Sequence, residues 1–431
     1  MKTSIDMARW FLEDKGLLAD QINPDALLDD FLIEMDKGLA GETSSLAMIP
    51  TYITIDKPVP AFKPVIALDA GGTNLRVATV VFDEEGNPKI SNLNKHKMPG
   101  SEGLLSKDEF FDKFVKYLLP YADHADSVGF CFSYPAEISP ERDGRLLSWT
   151  KEIKAPDIVG DFIGKNIFDR LEQEGHKLRF MLLNDTVATL LAGKSIDTGQ
   201  KYSAYVGFIL GTGTNTAYIE SNSNITKCYG LDPEGSQAIN TESGNFSKCP
   251  RSPIDIEFDR TTENPGQYLF EKMISGAYLG GLCLQALKKA AEEDLFSRAG
   301  AYWIDWRDGL STYEVDAILR DPGRGIDWGR VEMPAKDIEL IQHLCAALCE
   351  RAALFAALNV SAAILKSQIR KSSSPPICVN IDGSVYYKIK GFSKKVEEYL
   401  EKILGPKPIS YELIRVNDSP LIGAAVAGLM C

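Results

Sequence analysis

The chain contains 431 residues, of which 44% are hydrophobic and 25% are charged, a composition typical of an ordinary globular protein with two domains or one elaborated α/β unit. Its 60 Asp and Glu outnumber its 47 Lys and Arg and give a net charge of −13. This balance argues against nucleic acid or an anionic membrane surface as the main partner, although a small anion could still bind at one local site.

The first part of the chain changes from a helical to a strand pattern. Apolar residues at helical spacing predict helices within residues 1–47, with N-caps at Ser4 and Asn23. The proline-rich residues 48–64 predict a connector. From Val65 strands alternate with helices. Predicted strands lie at 64–72, 76–90 with an internal turn, 127–135 and 179–185, and predicted helices at 108–122 and 186–193.

The second part repeats the opening of the strand region. Residues 205–220 form a strand, a glycine bend, Thr-Asn and a strand, as do residues 66–77, and the spacing of Gly71 and Gly211 is too long for a solenoid repeat. A duplicated α/β domain with two facing halves explains the recurrence better. Helices are predicted at 267–293 and 337–369, a break at 371–376, a strand at 377–386 and a terminal helix at 420–430.

The cysteine, histidine and apolar patterns narrow the class of protein. The eight Cys include no Cys-x-x-Cys pair, no apolar run reaches the ~18 residues of a membrane span, and residues 1–18 lack the uncharged core of a signal peptide. We therefore expect a reducing, cytoplasmic location and no membrane span. The four His lie in contexts that favour neither a zinc site nor a Ser-His-Asp triad, so any catalytic base is expected to be a carboxylate.

The two glycine bends are candidate anion sites. Glycine allows close backbone approach, and successive N–H groups in a tight turn form a concavity suited to an anion such as phosphate. A third such turn is predicted at 382–384. Side chains around the first two bends add hydrogen-bond donors and one positive charge: Thr73, Asn74, Arg76, Thr212 and Asn215.

Two familiar phosphate loops do not fit these bends. Residues 193–195 resemble the end of a P-loop, but Ala188 stands where that motif needs glycine, and a helix pattern precedes it in place of a strand. Residues 211–216 lack the last glycine of a dinucleotide fingerprint and lead into a strand. For either bend alone, a plain hairpin turn remains an equal alternative.

Polar clusters between and after the bends carry a resemblance to a known family. They read CFSYPAE at 131–137, LLSWTKEIKAP at 146–156 and LLNDTVATLLAG at 182–193, followed by INTESGNF and NPGQYLFEKMISG. In this order, from about Met48 to the C-terminus, the chain resembles a hexokinase. The resemblance implies an α/β fold of the duplicated actin-like ATPase (ribonuclease H-like) type, with small and large domains that close around a central cleft.

The resemblance also implies domain bounds. Residues 1–55 would form an N-terminal helical segment packed on the large domain, residues 56–186 the small domain and residues 187–431 the large domain. The last helix, at about 420–431, could return to the small domain.

The resemblance implies roles for individual residues, with ATP as the nucleotide and Mg²⁺ as its metal. Asp185 would be the general base, Lys151 would stabilise charge on the transferring phosphoryl group, Arg76 would help to position the phosphates, and Asp69 would meet Mg²⁺. The implied sugar ligands are Ser133, Thr150, Lys151, Asn184, Asp185, Asn215, Glu242 and Glu271. The implied nucleotide residues are Asp69, Gly71, Gly72, Thr73, Asn74, Arg76, Thr212, Gly213, Asp382, Gly383, Ser384 and Gly423.

Each role has a plainer structural alternative. Asp185 comes just before a predicted helix and could be its N-cap, although the amides of residues 186–188 could also hold it as a base. Asp69 could cap a turn, and Lys151 could be a solvated surface lysine. Residues 264–272 also fit an ordinary helix start, with Asn264 as the cap and Pro265 in the first turn.

One region departs from the family pattern. Hexokinases usually have a Gly- and Ser-rich turn before Gly-Ala-Ala in the adenosine site, whereas this chain reads NDSPLIGAA at 417–425, with the helix expected to begin at Gly423. The lost glycines change backbone freedom where adenine would pack, so another nucleotide could replace ATP.

The resemblance implies an ATP-dependent hexokinase that phosphorylates the 6-hydroxyl of a hexose as the first step of glycolysis. Glucose is expected to be preferred, with fructose or mannose as alternatives. The sequence leaves the oligomeric state open. A sugar sensor without useful turnover is the runner-up, and an actin- or chaperone-like ATPase with a protein partner is a third, less favoured interpretation.

Overall fold

The structure, a computed structural model, describes residues 3–149, 153–196, 201–323, 325–329, 331–367 and 375–431. Two helices open the chain, α1 (Ser4–Asp14) and α2 (Pro24–Ala40). Asn23 caps α2 as predicted, but the N-cap of α1 is Thr3, one residue before the predicted Ser4, because Thr3 and Asp6 form a reciprocal capping box.

The first sheet is built from residues 65–183. Within the described residues its strand order is β4-β3-β2-β5-β8, with β2, β5 and β8 parallel and β3 and β4 antiparallel. The elements of this part, preceded by β1 in the connector, are β1 (Ile49–Pro50), β2 (Val65–Gly71), β3 (Asn74–Phe82), β4 (Pro88–Lys97), α3 (Lys107–Leu118), β5 (Ser127–Phe132), β6 (Ala136–Ile138), β7 (Gly144–Leu146), α4 (Ile163–Gln173) and β8 (Arg179–Leu183).

The second sheet is built mainly from the later residues. Its described strand order is β1-β11-β10-β9-β12-β13, with β9, β12 and β13 parallel. Its strands and the helices around them are α5 (Asp185–Ser195), β9 (Ala204–Leu210), β10 (Thr214–Ser221), β11 (Ser236–Asn240), α6 (Pro253–Arg260), α7 (Glu271–Ile274), α8 (Leu279–Glu292), α9 (Arg298–Asp305), α10 (Thr312–Arg320), α11 (Ala335–Lys366), β12 (Ile377–Asp382), α12 (Ser384–Lys388), α13 (Phe392–Leu404), β13 (Tyr411–Ile414) and α14 (Ser419–Leu429).

The two sheets share one plan. If β1 is set aside, the order β11-β10-β9-β12-β13 repeats the order β4-β3-β2-β5-β8. In each sheet the glycine bend joins the first parallel strand to the antiparallel strand that follows it. A helix also follows the last parallel strand of each half, namely α5 after β8 and α14 after β13. This correspondence agrees with the duplication that the sequence predicted.

The helices α5 and α14 join the two halves through small residues. A Cβ at Gly423 of α14 would lie 1.8 Å from the carbonyl oxygen of Ala188 in α5. A Cβ at Gly129 of β5 would lie 1.6 Å from the carbonyl oxygen of Ala424 in α14, and one at Gly207 of β9 would lie 2.5 Å from the amide nitrogen of Leu190 in α5. Each helix therefore packs against the sheet of the other half, and the closeness of these crossings permits only glycine.

The helix α11 is long and apolar enough to cross a membrane, but 89% of its most apolar window is buried inside the protein. It lies in the main apolar core, where α1, α2 and α13 pack against it. We therefore interpret α11 as a core helix.

Several predicted elements differ in detail. The predicted helix 267–293 is two helices, α7 and α8, and the Asn264-capped start is wrong because residues 264–270 form turns before α7. The connector contains the short strand β1, which pairs with β11. The predicted strand 377–386 ends at Asp382, where a turn leads into α12. The terminal helix begins at Ser419, one position before the predicted bound of 420 and four before Gly423, where the resemblance placed a helix start.

Candidate active site

The first group of candidate residues lies along one edge of the first sheet. Asp69 and Gly71 lie in the last three residues of β2, Ser133 follows β5, and Asn184 and Asp185 follow β8. Because these strands are parallel neighbours, their carboxyl ends meet at the same edge. The sequence could assign each residue to the end of a strand, and the register then brings them together.

The glycine bend of β2 and β3 is held by ordered contacts. Gly71 pairs with Asn74 across the hairpin, Gly72 has a left-handed φ of 62°, and the Tyr134 hydroxyl donates a hydrogen bond to the Gly72 carbonyl. The exposed Thr73 accepts a backbone bond from Met98 at 3.0 Å. The backbone of the bend is therefore held in one conformation at the surface.

Asp69 is not a turn cap. It lies inside β2 directly opposite Arg76 of β3, whose Nε donates to its Oδ2 at 2.8 Å. The second guanidinium arm reaches Asp418 Oδ1 at 2.6 Å. Burial alone would lower the pKa of Arg76, but the charges and hydrogen bonds of Asp69 and Asp418 hold it above its ordinary value. We call these three residues the Arg76 ion-pair group.

Asp185 is the first residue of α5, and the cap is its neighbour Asn184. The Asn184 Oδ1 accepts from the Thr186 amide at 2.8 Å, so Asn184 and not Asp185 is the N-cap. That the amides of residues 186–188 hold the Asp185 carboxylate stays a prediction. The Thr186 hydroxyl donates to Asp185 Oδ1 at 3.3 Å. The cap thus lies on Asn184, and the Asp185 carboxylate stands at the sheet edge.

A second group of polar residues lies beside the second sheet. Asn215 donates from Nδ2 to Asn240 Oδ1 at 2.7 Å and to Glu242 Oε1 at 3.2 Å. Asn240 Nδ2 also donates to Glu242 Oε1, at 2.8 Å. The backbone of Glu242 is left-handed, with a φ of 57°, a conformation that costs a non-glycine residue free energy and is typical of functional sites.

Glu271 connects this group to the second glycine bend. Its Oε2 accepts from the Thr214 amide at 2.8 Å, and a Cβ at Gly213 would lie 2.6 Å from the same oxygen. A side chain at position 213 would therefore displace the Glu271 carboxylate from the Thr214 amide. We call Asn215, Asn240, Glu242 and Glu271 the amide–carboxylate cluster.

The electrostatics connect the first sheet edge to the amide–carboxylate cluster. Burial raises the pKa of the Cys131 thiol, and the charges of Asp69 and Asp185 raise it further. Burial also raises the pKa of Glu242, with Asp185 adding to the shift. Burial raises the pKa of Glu271 to about 6, and the charge of Glu242 contributes. The charge of Asp185 therefore acts both on Cys131 at the first sheet edge and on Glu242 in the amide–carboxylate cluster.

The second glycine bend contacts two other segments, residues 276–277 after α7 and the turn after β12. The Gly276 and Ala277 amides donate to the carbonyls of Gly211 and Thr212 at 2.8 and 3.0 Å. A Cβ at Gly383, whose φ is 119°, would lie 2.2 Å from Leu210. Together with Asp382, whose Oδ1 accepts from the Gly383 amide at 2.7 Å, and Ser384, the predicted nucleotide residues of this half share one corner of the second sheet.

The comparisons with known proteins agree with this geometry. Two sequence models described as Hexokinase match residues 18–195 and 205–430. A curated relative, Hexokinase-5 of Oryza sativa subsp. japonica, is 31% identical over 94% of this chain and 86% of its own length. Glucokinase-1 of Kluyveromyces lactis is 31% identical over 94% of both chains.

This chain belongs to the hexokinase family. A solved structure of a hexokinase from Schistosoma mansoni complexed with glucose covers 100% of both chains, with a TM-score of 0.80 and 27% identity. A second hexokinase crystal structure covers 98% of this chain with a TM-score of 0.79 and 22% identity, which supports the fold alone. The predicted family and the predicted duplicated actin-like ATPase fold are confirmed.

Two of the predicted hexokinase residues, Thr150 and Lys151, lie outside the described residues. Gly423 lies at the crossing of α14 and α5, where it is buried, and not at the N-terminus of α14. Close helix packing explains the glycine, and its role as a nucleotide residue stays a prediction.

Two residues of this hexokinase site were missed from the sequence. Asn240 lies two positions before Glu242 at the end of β11, so strand alternation could have placed both side chains together. Asp418 lies in the segment that departs from the family pattern. Its pairing with Arg76, 342 positions away in the chain, has no local signal.

Proposed function

We propose that this hexokinase transfers the γ-phosphoryl group of ATP to the 6-hydroxyl of a hexose, with glucose as the preferred sugar. The single observation that carries the proposal is that charges of the two halves act on one another. The charge of Asp185 acts on Cys131, the β5 neighbour of Asp69, and on Glu242, and the charge of Glu242 acts on Glu271 beside Gly213. These interactions join both glycine bends to one set of carboxylates and amides. The glucose-bound relative and the relative named Glucokinase-1 support glucose as the sugar.

The amide–carboxylate cluster suits an uncharged polyol. Asn215 and Asn240 hold the carboxylate of Glu242 by neutral donors, and a backbone amide holds Glu271. Carboxylate oxygens with lone pairs left over accept hydrogen bonds from sugar hydroxyls, and an unpaired buried acceptor costs ~1–3 kcal/mol. A ligand without the matching hydroxyls would therefore bind more weakly. Ser133, Asn184 and the undescribed Thr150 and Lys151 would complete the sugar shell.

The bends and Arg76 suit the phosphates. Gly71 and Gly213 permit close backbone approach, Thr73 and Thr212 are exposed at the tips, and Arg76 contributes a charged planar donor. Asp382, Gly383 and Ser384 lie next to the second bend and would contact the nucleotide. Lys151 would stabilise the charge on the transferring group.

Asp69 has the chemistry to serve a nucleotide-bound Mg²⁺. Mg²⁺ commonly keeps several waters and uses one or two carboxylates plus substrate phosphates. The Oδ2 of Asp69 receives Arg76, while its Oδ1 lies on the side of Gly71, 3.6 Å from where a Cβ would be. Bound Mg²⁺ would neutralise charge on the phosphates.

Asp185 would act as the general base. Its carboxylate accepts the proton of the 6-hydroxyl while that oxygen attacks the γ-phosphorus, and the bond to the bridging oxygen of ADP breaks. Closure of the small domain (56–186) on the large domain (187–431) would exclude water, which would otherwise accept the phosphoryl group. A cytoplasmic location stays a prediction.

The test is a coupled assay of the purified chain with a panel of hexoses and nucleoside triphosphates, with and without Mg²⁺. We expect sugar phosphate formation with glucose and ATP at kcat values of about 1–10³ s⁻¹, and loss of turnover without Mg²⁺. Glucose binding without any turnover on any donor would instead revive the sugar-sensor interpretation, which the comparisons do not favour.

A further inference from the structure

Glu271 lies on an element that cannot orient it alone. The helix α7 has four residues, Glu271–Ile274, and no side-chain N-cap. One helical turn is not stable by its own hydrogen bonds, so tertiary contacts must fix its direction. The preceding residues 261–270 form turns without regular structure, with left-handed backbones at Gly266 and Tyr268. Something else must hold this segment.

The next residue, Lys272, is a buried cation with a defined set of partners. Only 3% of its side chain is exposed. Its Nζ donates to Asp259 Oδ1 at 2.5 Å and to the Asn264 carbonyl at 2.6 Å. Asp259, at the end of α6, also accepts the Gly266 amide at 3.0 Å and lies 3.7 Å from Arg251. These bonds hold Asn264 and Gly266, both in the turns before α7, next to α6.

Because Lys272 directly follows Glu271 in the chain, the Lys272–Asp259 ion pair affects the position of Glu271. The Lys272 amide donates to the Tyr268 carbonyl at 3.0 Å, so the side chain and the backbone of Lys272 are both fixed. Glu271 precedes it and reaches the other way, to the Thr214 amide beside the glycine bend. A small rotation at Lys272 would move the Glu271 carboxylate away from Thr214.

We propose that the buried pair Lys272–Asp259 is a positioning device for Glu271, which sets the affinity of the site for its sugar and leaves the chemical step nearly unchanged. This inference rests on the proposed function, since it takes Glu271 to be a sugar ligand. Lys272 and Asp259 are positioning residues, because they act on the sugar only through Glu271.

The first test compares Lys272→Met, Asp259→Asn and the double variant in the full chain. Glucose Kd, kcat, the KM for ATP and the unfolding temperature are measured for each. A single variant leaves an uncompensated charge or donor in the interior and loses stability, which the double variant partly restores. We expect glucose Kd to rise about ten-fold or more in all three, with kcat and the KM for ATP within about three-fold of wild type.

The second test keeps the buried pair and perturbs only the turn. Gly266 and Gly230 are both exposed, both left-handed (φ 83° and 76°) and both have open space where a Cβ would lie. Gly266→Ala and Gly230→Ala should therefore lower the unfolding temperature by similar amounts. Only Gly266→Ala should raise glucose Kd, by about three-fold or more.

The outcomes separate the two proposals. Wild-type chain that neither binds nor phosphorylates glucose overturns the proposed function, and this inference with it, before any variant is made. With an active wild type, the inference is overturned if glucose Kd in the double variant returns to within two-fold of wild type along with stability. Equal effects of the Gly266 and Gly230 variants on glucose Kd would also overturn it.

Discussion

The Arg76 ion-pair group and the amide–carboxylate cluster hold their carboxylates in different ways. Asp69 faces a guanidinium that it shares with Asp418. Among the described residues Glu242 and Glu271 form no ion pair and are held by side-chain amides and a backbone amide. The charge-compensated group suits ionic phosphates and a metal, and the neutral donors suit an uncharged sugar.

The same difference explains the directions in which the pKa values of these groups are shifted. The pKa values of Glu242 and Glu271 are raised, mainly because burial disfavours the charged form, and the charge of Lys272 only partly offsets this at Glu271. At Arg76 the neighbouring carboxylates outweigh burial and raise the pKa of the cation. The Arg76 ion-pair group therefore contains a cation stabilised by its carboxylates, whereas the amide–carboxylate cluster contains two carboxyls whose pKa values are raised.

The largest effect is expected at Asp185 itself. Asp185→Ala should lower kcat by about 10²–10⁴-fold, because a general base contributes that much, while glucose Kd changes only a few-fold. Single-turnover rates and equilibrium sugar binding measure the two quantities separately. Near-normal turnover in this variant would contradict the assignment of the base.

The next largest effect is expected at Arg76, in the Arg76 ion-pair group. Arg76→Met should lower kcat/KM for ATP by about 10–100-fold, since a charge-assisted hydrogen bond contributes ~1.5–3 kcal/mol. Glucose Kd should stay within about three-fold. Arg76→Lys is the control and should recover only part of the loss, because an ammonium cannot bridge two carboxylates as a guanidinium does. An equal loss of glucose affinity would remove the distinction between the two regions.

Glucose binding at the amide–carboxylate cluster should depend on pH. Folding raises the pKa of Glu271 from 4.5 to about 6, so the carboxyl is ionised above about pH 6 and gains a proton as the pH falls through that value. Because the ionised form is the stronger acceptor for sugar hydroxyls, glucose affinity should weaken about ten-fold between about pH 7 and about pH 5.

Glu271→Gln provides the control for this pH dependence. Its glucose affinity should be lower at neutral pH but should lose the part of the pH dependence near pH 6. If the wild type and the variant share the same profile, another group, such as Glu242, carries the titration.

The smallest effect is expected at Asp418. Its side chain is 50% exposed, so solvent screens the pair with Arg76. Asp418→Asn should raise the KM for ATP by no more than about three-fold, and added salt should shrink the difference. Steady-state rates at low and high ionic strength measure this effect. A loss as large as that of Arg76→Met would mean that Asp418 contacts the nucleotide directly.

Local patterns predicted the elements around the site but not all of its residues. The hairpins with Gly71 and Gly211, the strand end before Asp185 and the Asn23 cap follow from alternation, glycine and capping preferences. Hydrogen bonds resolved what propensity could not, such as Thr3 in place of Ser4 and Asn184 in place of Asp185 as caps. Neighbouring residues of similar capping ability differ only in the partners that the fold gives them.

The sequence by itself determined the strand–bend–strand repeat, the family resemblance and the acidic residues available for catalysis, because each of these is written in local periodicity or in the order of short motifs. Only the tertiary structure decided that α5 and α14 each pack against the sheet of the other half, and that Gly423 allows their close packing. It also decided that Asp418 pairs with Arg76 and that Lys272 supports Glu271. These contacts join residues that are distant in the chain or face different partners, and their energies depend on burial and geometry that no local pattern contains.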